Sequence, residues 1–539
     1  MYCEHSISDI ASADDWQKLR IEIDPEQKSK LVENLLEKFR DVGACMVVEE
    51  SAYIDRDFSS LFVDFYARLY RQGTKYCRRL HFFSDPLDRA RIAEDSHELA
   101  EELQSAGEMH YLGYIVVRPL VHSPISHAII STRHMNIPGG EVAIRSPYKI
   151  HVLGAELEVV GTPITEQDQL TGSCAQSTMW MVGRHFQNRH AMPWRSISDI
   201  TEAAISPTDF ALASVLPAGS ESLSPDNMVR ALRGMGQNAV TYEPEIGYTE
   251  DDRKWEVDPL ETIVRYLDSG IPVIVGLAKS NDPGPGHAVT ALGTIRDPDA
   301  KFSKSEPGPA NLVSHIIVHD DQKGAYVQLP VKAEKGSPYF SFQDISFLIV
   351  PLPDKIFLKG KIAQTIARDK VTRLINESRD KHIREAGKSV ETWKGDAGLR
   401  HAKPEALVAQ TYLTPGWKYK HRMLRNAINE IAKQEINHIH FPRYVWITEF
   451  SRPREASPID PCKRRIRGHV VIDATGNRFD ERAVLFVHMP GIVISENFDP
   501  ARPFDEDEGR LFVLDRDRPY YPKIRGQRDY TICGTAEAA

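Results

Sequence analysis

Cys174 is the residue of this chain whose type and position best suit nucleophilic chemistry. The three residues before it, Thr171, Gly172 and Ser173, favour a turn, and the sequence from Ala175 onward favours a helix. Cys174 is therefore predicted at a helix N-terminus, where unpaired backbone N–H groups and the helix macrodipole favour the thiolate over the thiol. Such a nucleophile needs a partner that shares its proton, and histidine is the usual one.

His287 and Asp320 are the predicted partners of Cys174. His185 is excluded because it lies eleven residues along the same predicted helix, about 16 Å away at 1.5 Å per residue. His287 follows a loop rich in proline and glycine, residues 281–286, and begins a predicted strand, so its ring can face a cleft. Asp320 ends the next predicted strand, where its carboxylate can orient the ring and stabilise the imidazolium.

These residues resemble the papain-like cysteine peptidases, most closely the C39-type branch. The resemblance rests on the string Gly286-His287-Ala288-Val289 and on the strand sequence Gly-x-Pro-Val-Ile-Val at residues 270–275. It covers about residues 161–356 and implies a papain-like fold there. It also implies a triad of Cys174, His287 and a third member that is Asp or Asn in this family. Asp320 matches that third place, with Asp321 as the alternative.

The same resemblance implies a donor to the oxyanion that forms during acyl transfer. In this family a glutamine a few residues before the cysteine donates to the oxyanion beside the backbone N–H of the nucleophile. That role falls on Gln169, with Gln167 as the alternative because the spacing in the family varies. Every other part of the chain lies outside the resemblance.

The predicted fold class is α+β, with the papain-like domain at residues 161–356 between two other domains. Residues 1–160 are predicted as an N-terminal α/β domain for recognition or structure. Residues 357–539 are predicted as a C-terminal domain of helices and antiparallel strands, which includes one helix from Trp417 to Gln434. The flanking domains are expected to select or restrain the substrate.

Composition argues against several other classes of protein. The 539 residues carry a net charge of −9 with a pI near 6.1, so binding to nucleic acid or to anionic membranes is not expected. The longest mainly apolar runs, such as residues 271–278, are far shorter than the roughly 18 residues that a membrane crossing needs. Residues 1–5 have neither a basic nor an apolar signal segment, so no secretory signal is expected.

The six cysteines show no CxxC pair and no zinc-ligand spacing, which favours a reducing cytoplasm. His315 and His319 share one face of a predicted strand near Asp320 and Asp321. No further sulfur or imidazole ligand stands at a suitable spacing, so no metal is expected there. No cofactor is predicted.

The first functional hypothesis is a cytoplasmic cysteine peptidase that hydrolyses a peptide or isopeptide bond in a protein or peptide substrate. A transglutaminase or glutamine deamidase would use the same triad and the same acyl-enzyme, with a different attacking group. A third hypothesis is an inactive papain-like scaffold that binds a partner through residues 1–160 or 357–539. The oligomeric state is left open by the sequence.

Overall fold

The structure is a computed structural model of the 539-residue chain. It describes fourteen stretches of the chain, and every structural statement below concerns these residues. They are residues 4–69, 73–87, 96–168, 174–205, 223–245, 254–279, 286–333, 339–376, 404–426, 428–458, 463–476, 480–495, 510–514 and 521–522.

The chain forms two compact units, each assembled from segments that are separated in sequence. The first unit contains Met1–Lys254, Pro272–Thr294 and His315–Leu352. The second contains Trp255–Ile271, Ile295–Ser314 and Pro353–Ala539. The chain therefore passes between the units several times before residue 353. The division into three consecutive domains stays a prediction from the sequence.

An antiparallel five-stranded sheet forms the N-terminal part of the first unit, and its strands are adjacent in the order β1-β2-β3-β4-β5. Its strands are β1 (His5–Asp9), β2 (Met46–Tyr53), β3 (Cys77–Phe83), β4 (Tyr111–Val117) and β5 (Ile125–Ile130). The accompanying helices are α1 (Ala13–Ile23), α2 (Lys30–Asp41), α3 (Arg56–Asp64) and α4 (Ser96–Met109). A hairpin of β7 (Ser146–Val152) and β8 (Ala155–Gly161) adds Val152, Leu157 and Val159 to the core beneath the sheet.

Helix α2 shows why the sequence folds in this way. The Ser29 side chain accepts a hydrogen bond from the backbone N–H of Val32, which caps the first turn. Leu31, Leu35 and Phe39 recur at four-residue steps and are all buried. The opposite face carries charged residues, so one side of the helix packs and the other meets water.

A seven-stranded sheet forms the rest of the first unit, in the order β13-β12-β11-β10-β14-β9, with β6 beside β11. Its strands are β6 (Gly140–Val142), β9 (Asn238–Tyr242), β10 (Val273–Leu277), β11 (His287–Arg296), β12 (Val313–Asp320), β13 (Gly324–Pro330) and β14 (Ile345–Leu352). The accompanying helices are α5 (Cys174–His190), α6 (Ile197–Ala204) and α7 (Pro225–Gly234). The central strand β10 pairs antiparallel with β11 and β14 and is buried along its whole length.

The second unit is built on a six-stranded sheet in the order β15-β16-β18-β19-β20-β21. Its strands are β15 (Val408–Pro415), β16 (Tyr444–Ser451), β18 (Gly468–Asp473), β19 (Val484–Met489), β20 (Ile492–Ser495) and β21 (Arg510–Val513), with β17 (Arg465–Ile466) and β22 (Tyr521–Pro522) as a separate pair. The helices are α8 (Pro259–Asp268), α9 (Gly360–Asn376), α10 (Gly416–Arg425), α11 (Glu430–His438) and α12 (Pro453–Ala456).

The chain contains both helices and sheets, so the coarse α+β class predicted from the sequence is confirmed. One predicted element differs in detail, because residues 417–434 form two helices, α10 and α11, and not one. The Asn429 side chain caps the second of them by accepting from the backbone N–H of Ile431. Within the described residues, every helix is too short or too polar to cross a membrane.

Candidate active site

Cys174 is the first residue of α5, as the sequence predicts. It is partly exposed and is a free thiol. The Thr178 hydroxyl, one turn further along the helix, donates to the backbone carbonyl of Ala288 at 3.0 Å. This bond joins the first turns of α5 to the start of β11, where the predicted partner His287 lies.

His287 is the first residue of β11, where it pairs with Leu277 of β10, and its side chain is 9% exposed. Its Nε2 lies 3.1 Å from Asp320 Oδ1, and the Cys174 side chain lies close enough to the ring to influence the pKa of His287. Burial alone would lower the pKa of His287. The hydrogen bond to Asp320 and the nearby Cys174 side chain, together with the charges of Asp320 and Asp321, outweigh burial and raise the pKa to about 10.

Asp320 ends β12 and is completely buried. Its Oδ1 accepts from the backbone N–H groups of Gln322 at 2.9 Å and Lys323 at 3.0 Å. Burial acts to raise the pKa of this carboxyl, but the hydrogen bond and charge of His287 lower it. The backbone N–H of Gln322 also lowers the pKa, so the group stays below its usual range and is a carboxylate near neutral pH.

Asp321, the alternative third member, lies further from the ring. Its Oδ1 is 3.9 Å from His287 Nε2, compared with 3.1 Å for Asp320. Burial and the neighbouring Asp320 charge raise the pKa of Asp321 to about 7, although the His287 charge and the Ser177 hydroxyl act in the opposite direction. The shorter distance and the firmly ionised state both favour Asp320 as the carboxylate that orients the ring.

Two aromatic residues that the sequence reasoning missed also contact this group. The Tyr339 hydroxyl donates to Asp320 Oδ2 at 2.8 Å. The Phe340 ring stacks on the His287 ring with centroids 6.1 Å apart and planes 16° from parallel. Both residues lie before β14, about 50 positions after His287, and no local pattern in the sequence marks them.

The three predicted residues face one cleft of about 620 Å³. Its lining combines apolar side chains with a few polar groups near the thiol. The lining residues are Gln167, Cys174, Ala175, Leu223, Met228, Leu277, Gly286, His287, Ala288, Asp320, Gln322, Lys323, Tyr339, Phe340, Ser346 and Phe347. A cleft of this size and character suits a peptide segment or a small molecule.

The two predicted oxyanion donors differ in what the structure describes. Gln169 lies outside the described residues. Gln167 lines the cleft together with Cys174, and its Oε1 accepts a hydrogen bond from Gln322 Nε2 at 3.1 Å.

Two groups among the described residues have spacings that a metal ion could also use. One is His287, Asp320 and Asp321, whose ligand atoms lie within 4.8 Å of one another. The other is the group of Asp55, Asp57 and His127. A carboxylate in each group already accepts hydrogen bonds from protein donors. Asp320 accepts from two backbone N–H groups, and Asp55 accepts from the Phe58 backbone N–H and the Ser126 hydroxyl.

The arrangement places a partly exposed thiol, an imidazole and a carboxylate in one lined cleft. A thiol that shares a proton with imidazole can attack an electrophilic carbon, and the carboxylate orients the ring. Comparison with known proteins adds no relative: no protein-family model and no curated protein sequence matches this chain.

Proposed function

We propose that this protein is a cysteine peptidase with a papain-like fold in its first unit, which hydrolyses a peptide or isopeptide bond. The observation that carries the proposal is the contact series Cys174–His287–Asp320 in one cleft, with the Nε2–Oδ1 distance of 3.1 Å. The element order supports it: the cysteine begins a helix, the histidine begins a strand and the aspartate ends the next strand.

The proposed reaction begins with His287 as an imidazolium, because its pKa of about 10 keeps it protonated at neutral pH. The Cys174 thiolate attacks the carbonyl carbon of the scissile amide, and the carbonyl electron pair moves to oxygen. The tetrahedral intermediate collapses when His287 gives its proton to the leaving amine, which departs. The product is a thioester between Cys174 and the acyl part of the substrate.

Deacylation uses the same residues with the proton moving the other way. Neutral His287 takes a proton from water as the water oxygen attacks the thioester carbonyl, and the thiolate–imidazolium pair is restored when the acid leaves. Asp320 holds the ring and stabilises the imidazolium in both steps. The Cys174 backbone N–H and a glutamine, Gln167 or Gln169, are the proposed donors to the oxyanion.

The test is trapping of the nucleophile by a peptide that carries a vinyl sulfone, followed by peptide mapping of the full-length protein. We expect modification at Cys174, and its loss in His287→Ala. Cys45 is a suitable internal reference because it is partly exposed and burial raises the pKa of its thiol. Modification of Cys174 that is no faster than that of Cys45 would contradict the proposal.

The acceptor of the acyl group is tested separately with peptide substrates and wild-type protein. A peptidase produces two shorter peptides, and Cys174→Ser should abolish both products. Release of ammonia without chain cleavage would instead assign the site to glutamine deamidation or transamidation. That result would support the proposed triad and would contradict the proposed hydrolysis of a peptide bond.

A further inference from the structure

The short 3-10 turn that follows α3 contacts the chain just before the nucleophile. Tyr66, in the turn Tyr66–Arg68, donates from its hydroxyl to Asp168 Oδ2 at 2.5 Å. Asp168 is buried and lies six residues before Cys174. A side chain from the N-terminal third of the protein therefore helps to hold Asp168.

The start of the same helix contacts the chain just after the nucleophile. Asp57, the second residue of α3, accepts a hydrogen bond from Trp180 Nε1 at 2.9 Å and forms an ion pair with Arg184. Trp180 and Arg184 lie on α5 and are both buried. The Arg184 guanidinium also packs over the Trp180 and Trp194 rings, at 4.8 and 5.0 Å from their centroids.

The segment 164–168 is held along its length by the N-terminal sheet and helices. Ile164 and Ala128 exchange two backbone hydrogen bonds of 2.9 Å. The Thr165 hydroxyl donates to the Ser126 carbonyl at 2.6 Å. The buried Glu166 carboxylate accepts from the Ser29 hydroxyl and the Ile125 backbone N–H. Several hydrogen bonds thus hold residues 164–166 to the N-terminal sheet and helices.

We propose that α3 and the turn after it form a clamp that sets the position of Cys174 relative to His287. Tyr66 and Asp57 are its positioning residues, because each holds one side of the chain around the cysteine and neither lines the cleft. The inference rests on the proposed function, since the placement of the thiol matters only if it reacts. It gives the N-terminal residues a part in the reaction itself.

The physical reason is that nucleophile and base must keep hydrogen-bond distance for the thiolate–imidazolium pair to persist. A displacement of about 1 Å in a reacting group can cost about 100-fold in rate. A buried carboxylate that loses one of its hydrogen-bond donors is also held less firmly. We therefore expect loss of the Tyr66 hydroxyl to loosen Asp168 and, with it, the start of α5.

The test variant is Tyr66→Phe in the full-length protein, measured by the rate of Cys174 alkylation with iodoacetamide. At pH 6.5, where reaction depends on the imidazolium partner, we expect the rate to fall about tenfold. At pH 10.5 a thiol ionises without help, so we expect wild-type and variant rates within a factor of two. Unfolding would also remove the imidazolium partner and lower the rate at pH 6.5 alone, so the urea unfolding curve of each variant is measured beside its rate and must show a folded protein at pH 6.5.

Tyr412→Phe is the matched control, because the Tyr412 hydroxyl donates to the buried Glu449 Oε1 at 2.9 Å in the second unit. It removes a tyrosine–carboxylate bond of the same kind, and we expect no change in the rate at pH 6.5. Trp180→Phe tests the other side of the clamp without removing the Asp57–Arg184 ion pair. We expect it to show the same selective fall at pH 6.5 as Tyr66→Phe.

Two results would overturn the clamp while leaving the proposed function intact. In the first, wild-type Cys174 reacts faster than Cys45 at pH 6.5, and Cys174 reacts as fast in Tyr66→Phe and Trp180→Phe as in the wild type. In the second, both variants lose rate equally at the two pH values, which would show only that the thiol is less accessible. If wild-type Cys174 reacts no faster than Cys45, the proposed function fails and the clamp fails with it.

Discussion

At the scale of single residues, the question that the sequence left open is which acid orients His287. Asp320 is closer to the ring than Asp321, and it has backbone and hydroxyl donors that hold it as a carboxylate. The sequence placed both acids at the end of one strand, and nothing in their order could rank them. Their distances from the His287 ring distinguish the two acids. The sequence could not give these distances, because the ring comes from a different strand.

Asp320→Asn should therefore damage the site far more than Asp321→Asn. An amide at position 320 can accept a hydrogen bond from the ring but lacks the negative charge that stabilises an imidazolium, and the same exchange in a Ser-His-Asp triad lowers turnover by about 10⁴-fold. We expect at least a 100-fold fall in the rate of Cys174 modification by a peptide vinyl sulfone. Asp321→Asn, with a similar change in shape, should stay within about tenfold. A reversed order would make Asp321 the orienting acid.

The raised pKa of His287 predicts how stability depends on pH. A group whose pKa is higher in the folded than in the unfolded chain stabilises the fold below the unfolded value, about 6.5. That contribution is lost as the pH rises toward about 10, the value in the folded protein. Between pH 7.5 and 9.5 the loss from this residue is on the order of 2 kcal/mol.

The measurement is urea unfolding of wild type and His287→Gln at several pH values across that range. The difference in unfolding free energy between the two proteins should shrink as the pH rises, because only the wild type loses this contribution. Titration of groups that do not interact with His287 cancels in the comparison. A difference that stays constant from pH 7.5 to 9.5 would show that His287 is not held as an imidazolium.

At the scale of helices and strands, local patterns in the sequence predict the elements that carry the site. The strand at residues 270–276 corresponds to β10, and the residue types before Cys174 correctly predict the start of α5. The helix predicted over residues 417–434 is interrupted, because Asn429 caps a second helix. Apolar periodicity continues across such a break, so it does not reveal a local cap.

The contacts between elements could not be predicted in the same way. Tyr66 and Asp168 are separated by 102 positions, and Asp57 and Trp180 by 123. Each of these residues is unremarkable in its own segment, as an aromatic or acidic residue of a helix or loop. Only the packing of the N-terminal sheet and helices against α5 gives them a role, and a single sequence carries no signal for such pairing.

One strand position shows how the wall of the cleft is shaped. Gly276 of β10 pairs with Phe347 of β14 at a bulge, and a methyl group on Gly276 would lie 2.2 Å from the Phe347 ring. Phe347 lines the cleft. Gly276→Ala must therefore displace a cleft-lining ring, and an overpacked core site of this kind typically costs about 1–3 kcal/mol.

We expect Gly276→Ala to lower the unfolding free energy by about that amount and to slow modification of Cys174 by bulky peptide probes more than by iodoacetamide. Gly183→Ala in α5 is the matched control, since its added methyl group would meet only Met235 Sδ at 3.8 Å. In a helix this exchange should stabilise by about 0.5–1 kcal/mol. Similar effects at both positions would contradict the predicted role of Phe347.

At the scale of the whole molecule, the units do not follow the order of the chain. Helix α8 belongs to the second unit, although it lies between β9 and β10 of the first. It packs on β15, where the Ser269 hydroxyl accepts from the Leu413 backbone N–H at 2.8 Å. The amino-acid composition is ordinary along the whole chain, so it does not indicate that each unit is assembled from segments separated in sequence.

A fragment of residues 161–356 expressed alone is therefore expected not to fold. It lacks the N-terminal sheet that holds residues 164–168, and it carries α8 without β15. The measurement is its urea unfolding curve beside that of the full chain. We expect a broad unfolding transition for the fragment. We also expect its Cys174 to lack the enhanced alkylation rate at pH 6.5 that the full chain shows. A sharp, cooperative transition would show that this segment is a self-sufficient domain.

The central claim is that Cys174 and His287 form one reacting pair. The most direct test is the second-order rate constant for alkylation of Cys174 by iodoacetamide at pH 6.5, compared between wild type and His287→Gln. We expect wild-type Cys174 to react at least ten times faster than Cys45, and His287→Gln to remove this advantage. Equal rates for wild type and His287→Gln would contradict this claim.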